Sequence, residues 1–253
     1  MGINLNPDKA CNFDCVYCQV DRTVPPLVRK VEIHLLREEL ERTIAAVLTG
    51  SLFEDPQFAG VPATARRLND IAFSGDGEPT ASPQFPEAVR LVAEVRQRLG
   101  LEKVKIVLIT DATYLTRPAV RTALALMDAS NGEIWAKLDA GTEEYFRLVN
   151  RPNCTLQTIL ENILDAARTR PIVIQSLWMN VHGQPPPDAE VGAFSGRLRD
   201  LVVGGGSIKL VQIYTIARRT AVPWVTPLDD AVLHRLADRV RDQTSLPVAV
   251  FGN

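Results

Sequence analysis

The sequence predicts an α/β fold of parallel strands wrapped by helices, and three observations predict it. Short apolar runs alternate with amphipathic stretches about a dozen residues long, the rhythm of βαβ units. Lys105 to Thr110 (Lys-Ile-Val-Leu-Ile-Thr) is β-branched and almost wholly apolar, as a strand buried on both faces must be. Residues of unusual polar chemistry recur just after the strands, at ends that share one rim in a parallel sheet. Six units are countable, and their pattern alone fits either an incomplete barrel or a doubly wound sheet.

Taken in order, Ile3 to Asn6 is a short first strand; either the protein starts abruptly there or some N-terminal sequence is missing. Pro25-Pro26 breaks the chain, and Glu32 to Leu48 then carries Ile33, Leu36, Leu40, Ile44 and Val47 at helical spacing before Gly50 ends it. Ser51 to Leu68 has no period and reads as an irregular insert. A strand over 70–74 precedes a helix over 83–99, closed by Gly100. After strand 105–110, Pro118 is tolerated in the first turn of a helix over 116–128. Strand 133–138 leads to helical stretches over 142–149 and 156–168, interrupted by Arg151-Pro152. Strand 172–179, the rigid connector Pro185-Pro186-Pro187 and a helix over 188–201 follow. Gly204-Gly205-Gly206 turns the chain into strand 208–215, then a helix over 228–242 and a last short strand over 248–251. No linker, repeat or low-complexity tract divides residues 1–253, so one domain is expected.

Composition limits the function classes. The 253 residues are 46% hydrophobic and 23% charged, with a formal net charge of -2, so no general basic field for nucleic acid is visible. Four cysteines, three packed into one loop, do not make a secreted disulfide framework; a reducing cytoplasm is expected. The first ten residues carry Asn4, Asn6, Asp8 and Lys9 and no long apolar run, so no signal peptide is expected. No stretch approaches the length needed to span a bilayer.

The most informative stretch is Cys11-Asn12-Phe13-Asp14-Cys15-Val16-Tyr17-Cys18, three cysteines at C-x3-C-x2-C spacing. Thiolates hold iron–sulfur clusters and zinc, and spacing this tight lets one loop place several sulfurs around one centre. A four-iron cluster ordinarily takes four cysteines; three leave one iron with open positions, the mark of a centre that binds a ligand. Zinc sites are normally closed by a fourth Cys or His, and His34, the nearest downstream, has no partner at helical spacing. A zinc knuckle and unliganded buried thiols stay open as alternatives.

With Tyr17 just before the last cysteine, this loop resembles that of the radical S-adenosylmethionine (radical SAM) superfamily. Gly75-Asp76-Gly77-Glu78-Pro79-Thr80 resembles the superfamily's Gly-Gly-Glu-Pro segment, with Asp76 standing where the first glycine is expected. The resemblance implies a partial open (β/α)6 barrel of parallel strands with outer helices. It implies a [4Fe–4S] cluster held by Cys11, Cys15 and Cys18, with S-adenosylmethionine on the fourth iron. Reductive cleavage to a 5′-deoxyadenosyl radical would then abstract hydrogen from substrate, with electrons from a reductant such as flavodoxin or ferredoxin. By the same resemblance Tyr17 packs near the adenine, and the segment with Gly75, Asp76, Gly77 and Glu78 meets the methionine amino group. Lys137 and Asp139, on one face at the end of strand four, either bind cofactor carboxylate and ribose or form an ion pair. Gln175 and Asn180 are weaker candidates at strand five.

Gln212-Ile213-Tyr214-Thr215, ending strand six, resembles the wyosine-base-forming tRNA branch, and places Tyr214 among the cofactor candidates. Arg218 either grips a carboxylate or phosphate or is a solvated loop arginine. Cys154 reads as a buried or idle thiol, and of His34, His182 and His234 only His182 falls in a rim loop. The substrate does not follow: a tRNA base, a glycyl-radical enzyme, a small molecule or a peptide all remain. An iron–sulfur electron carrier is the alternative activity.

Overall fold

The protein is described here by a computed structural model over residues 1–220 and 222–252. Its strands, numbered in chain order, are β1 (Gly2–Ile3), β2 (Asp70–Phe73), β3 (Lys105–Thr110), β4 (Gly132–Lys137), β5 (Ile172–Leu177), β6 (Met179–Val181), β7 (Ile208–Tyr214), β8 (Val225–Pro227) and β9 (Val248–Phe251). The helices are α1 (Ile33–Thr49), α2 (Phe85–Arg98), α3 (Pro118–Asp128), α4 (Glu143–Asn150), α5 (Leu156–Thr169), α6 (Asp188–Val203) and α7 (Asp230–Thr244).

Seven strands form one sheet in the order β1-β2-β3-β4-β5-β7-β9, and every neighbouring pair is parallel. Chain order and spatial order agree, with no reversal in the middle. A doubly wound sheet turns back at a switch point, so the sequence's two alternatives resolve to the barrel-like winding. The sheet stays open, because β1 and β9 are its unpaired edges. The expected last strand is real and adds a seventh member by pairing with β7.

Local chemistry explains the element ends. Gly50 closes α1 in the left-handed region at φ 87°. Thr142 and Thr155 cap α4 and α5 by accepting from the Tyr145 and Thr158 amides, both at 3.2 Å. The 51–68 insert holds two short 3-10 turns, Ser51–Glu54 and Ala63–Ala65, and no longer element.

Two strand expectations need correction. The first strand pairs only at Gly2 and Ile3, since Asn4 turns its side-chain oxygen to the Asn6 amide at 3.0 Å and begins the loop. Strand 172–179 is broken after Leu177, and Met179–Val181 leaves the sheet to pair antiparallel with β8. The Trp178 amide crosses to the Tyr214 carbonyl (2.8 Å), and the Trp178 carbonyl takes the Thr215 hydroxyl (2.8 Å). Periodicity cannot reveal such a break, since Trp178 and Met179 are as buried as the strand before them.

The core fills the space between sheet and helices. Trp178 is fully buried, stacked on Tyr145 (6.1 Å between ring centres) and edge-on to Phe194 of α6 (5.3 Å). Among the described residues no helix is long and apolar enough to cross a membrane. Removing the Phe194 ring opens a cavity against Trp178, so Phe194→Ala should lower stability by about 3–5 kcal/mol in chemical denaturation.

Candidate functional site

The cysteine loop runs from the end of β1 across the carboxyl rim of the sheet. It is stitched to the C-terminal end of α4 and the residues just beyond: the Asp14 and Val16 amides donate to the Asn150 and Val149 carbonyls (3.1 and 2.9 Å), and Phe13 bridges Pro152. The Phe13 ring lies edge-on to Phe146 at 5.4 Å. On its other side the Ala10 carbonyl accepts from the Glu78 amide at 3.2 Å. A side chain at Gly77 would run into that same carbonyl, and one at Gly75 into the Asn4 amide group. These glycines are therefore required first by the approach of the cysteine segment.

Cys11, Cys15 and Cys18 line one cavity with Tyr17, the Gly75–Glu78 backbone, Asp111 and Lys137. Among the described residues, no three His, Cys, Asp or Glu side chains converge on a single ion-sized position. The sulfurs face N–H donors: Arg22 Nη1 and the Val20 amide reach Cys18 Sγ at 3.4 and 3.5 Å, and Asn150 Nδ2 reaches Cys15 Sγ at 3.4 Å. Burial pushes the Cys15 thiol up to about 12 and the Cys11 thiol to about 11. Free thiols here are protonated, and binding a metal centre must release those protons.

Beneath Cys15 lies a buried polar knot. Asp139, 1% exposed, accepts from the Tyr17 hydroxyl, from Asn150 Nδ2 (2.8 Å) and, at its other oxygen, from the Leu177 amide (2.8 Å). Lys137 Nζ stands 3.7 Å from Asp139 and donates to the Tyr214 hydroxyl at 3.0 Å. Burial opposes the lysine's charge, but Asp139 outweighs it and holds the ammonium pKa above its ordinary value. Of the two readings of this pair, the geometry favours the ion pair: both Asp139 oxygens are occupied inside the protein, while Lys137 still faces the cavity. Tyr17 combines core packing with a cavity-lining ring.

Glu78 is equally committed. Its Oε1 accepts from the Thr80 amide (3.0 Å), the Thr80 hydroxyl and the Thr110 hydroxyl (2.7 Å), and its Oε2 from the Asp111 amide (2.7 Å). It thus joins the ends of β2 and β3 and leaves the backbone of 75–77 to face the cavity. Asp76 points its carboxylate to Asn4 Nδ2 at 2.9 Å. Gln175 and Gln212 pair across neighbouring strands at 3.2 Å, and Asn180 is spent on Thr226 and the Pro227 carbonyl in the β6–β8 ribbon. Neither Gln175 nor Asn180 lines the cysteine cavity. Cys154 packs, half-buried, against the core.

Three contributors escaped sequence reasoning. Asn150 touches Cys15 and Tyr17 from more than 130 residues away and carries no motif. Asn12 joins Tyr114 (2.9 Å) to Asp111 (3.3 Å), and Arg22 faces Cys18. The last two stand in or just after the cysteine run, which was the available signal.

Burial, then the neighbouring Asp111 carboxylate, pushes the Glu78 carboxyl up to about 8, and burial also raises Asp111. Between the ordinary value of 4.5 and about 8 the unfolded chain releases the Glu78 proton while the folded chain keeps it. Stability contributed at this site therefore falls as pH rises through that window and is unaffected below it. Asp111→Asn removes the like charge and should flatten that fall. Urea denaturation at about pH 5 and about pH 8 checks this, and an identical pH dependence in both proteins would contradict it.

No family model matches the chain. It is 27% identical over 165 residues to a UPF0026 protein of Methanocaldococcus jannaschii, covering 65% of this chain and 43% of that one. The chain spans between a third and about half of the curated relatives it matches. Among solved structures, Streptococcus suis SuiB bound to S-adenosylmethionine superposes with a TM-score of 0.65 at 13% identity, over 99% of this chain and 50% of that one. TYW1 with a lysine–pyruvate adduct bound gives 0.62 at 13%, over 96% and 74%. At such identity these structures establish the shared fold. In its cysteine motif and in that fold, the chain resembles the radical SAM superfamily.

Proposed function

We propose that this chain is a radical SAM enzyme, with Cys11, Cys15 and Cys18 holding a [4Fe–4S] cluster and S-adenosylmethionine bound beside it. The observation that carries the reading is one cavity lined by all three thiols and by the open backbone of residues 75–77. Two features favour a cluster over zinc. A structural zinc is closed by a fourth Cys or His, whereas this cavity is lined by three cysteines and no histidine. Donors also surround the sulfurs, as suits an anionic centre whose charge must be balanced.

When bound, the pair of cofactors supplies reductive cleavage of the sulfonium to a 5′-deoxyadenosyl radical, which abstracts hydrogen from substrate. The chain's own residues do the rest. Arg22 and Asn150 donate to Cys18 and Cys15 and fix those side chains. The carbonyls of Gly75 to Gly77 offer acceptors for the methionine ammonium, while Glu78 holds their loop. Lys137, kept cationic by Asp139, offers a donor to the methionine carboxylate. Tyr17 presents its ring to the cavity, and Tyr214 acts by orienting Lys137. A flavodoxin or ferredoxin is the proposed electron source.

Anaerobic reconstitution should give a brown protein whose reduced electron resonance changes on adding S-adenosylmethionine; a pure electron carrier would show no such change. Cys11→Ala, Cys15→Ala and Cys18→Ala should each abolish formation of 5′-deoxyadenosine, read by mass spectrometry. Cys154→Ala should leave it intact, and loss in that variant alone would reverse the assignment.

A further inference from the structure

Two cations line the cysteine cavity, and they are not equivalent. Lys137 is matched by the buried Asp139 at 3.7 Å and donates to the Tyr214 hydroxyl. Arg22 instead brings its Nη1 to within 3.4 Å of Cys18 Sγ, closer than the 3.9 Å that separates it from the Asp14 carboxylate. The Asp14 side chain is 64% exposed against 29% for Arg22, and its other oxygen goes to Arg151 at 3.4 Å. A carboxylate that is mostly in water and shared between two arginines cancels only part of a half-buried charge. Most of the Arg22 charge is therefore left to the sulfur.

The local chain holds it there. Arg22 comes four residues after Cys18, and the Val20 amide reaches the same sulfur at 3.5 Å, so the backbone beyond the last cysteine folds back over Sγ and carries the guanidinium with it. Asn150 brings a further N–H to Cys15 at 3.4 Å, but that group is neutral and tied to Asp139 and Tyr17. A guanidinium stays charged at any working pH. The potential of an iron–sulfur centre is set by net charge, by hydrogen bonds to its sulfurs and by exposure. Reduction adds one negative charge, which a cation beside a ligating sulfur stabilises.

We propose that Arg22 sets the redox poise of the centre. Its charge, delivered at Cys18, raises the reduction potential and eases entry of the electron, while Asp14 draws part of that charge away. One electron passes from a one-electron reductant onto the cluster; no bond forms or breaks, and Arg22 acts through Cys18 as a positioning residue. This role rests on the reading of the three cysteines as cluster ligands and adds the residue that governs their reduction.

Midpoint potentials would be measured on the full chain after anaerobic reconstitution, titrated with titanium(III) citrate and followed by electron resonance, without and then with S-adenosylmethionine. Arg22→Gln should lower the midpoint, so that at fixed poise the ratio of reduced to oxidised cluster falls about tenfold, or about 59 mV for one electron. Asp14→Asn removes the opposing carboxylate and should move the midpoint the other way, changing the same ratio by about threefold. Opposite signs separate charge from a mere loosening of the loop, which would move both variants alike. An unchanged midpoint in Arg22→Gln, or shifts of one sign in both variants, overturns the proposal. Should Arg22→Gln take up no cluster, the sign of the shift in Asp14→Asn decides it. A cluster tuned in this way but blind to S-adenosylmethionine would sink the radical SAM reading and leave the role of Arg22 standing. A cluster that responds to S-adenosylmethionine while its midpoint ignores Arg22 would do the reverse, and a wild-type chain that takes up no cluster would overturn both.

Discussion

The rim depends on the burial of one carboxylate. Asp139 lies just beyond β4, is almost wholly removed from solvent, and draws Tyr17, Asn150, Lys137 and the Leu177 amide onto its two oxygens. A buried charge is tolerated only when every lone pair is satisfied, so these groups cannot drift without exposing an unpaired ion. Through Tyr17 and Asn150 that constraint reaches Cys15; through Leu177 it fixes where β5 ends. A loop that forms no strand along Cys11–Cys18 is thus tied to the sheet through side chains.

Glu78 does the same on the opposite side of the cavity. Its hydrogen bonds to Thr80, Thr110 and the Asp111 amide join two strand ends, and its own amide is tied to Ala10 just before the first cysteine. The cysteine loop therefore lies between two buried carboxyl groups that organise backbone and leave no oxygen for a ligand. What the carboxyl groups leave to line the cavity are the two glycines, Lys137 and the three cysteines. Acidic residues next to a proposed cofactor site are easily read as binding groups; here burial makes them supports.

The β6–β8 ribbon supplies what the parallel sheet cannot. Parallel strands need a crossover to pair, whereas an antiparallel ribbon can close outside the sheet, as Met179–Val181 and Val225–Pro227 do. Trp224 and His182 stand on this ribbon's connections, and Arg151 links them back to the loop that bears the cysteines.

The sequence by itself determined the winding units, the helix ends and the cysteine trio. Each of these is written in local signals: apolar period, capping residues, and thiol spacing within a single loop. Parallel order without reversal, the break after Leu177 and the short strand at Val225–Pro227 were decided only by tertiary structure. Their determinants are contacts between distant residues, and a three-residue strand ending in proline leaves no period to detect. The roles of Asp139 and Glu78 followed the same division. Sequence placed both carboxylates at the rim, but whether a carboxylate faces a ligand or the interior depends on which donors the fold brings to it, and Tyr17 and Thr110 arrive from far along the chain.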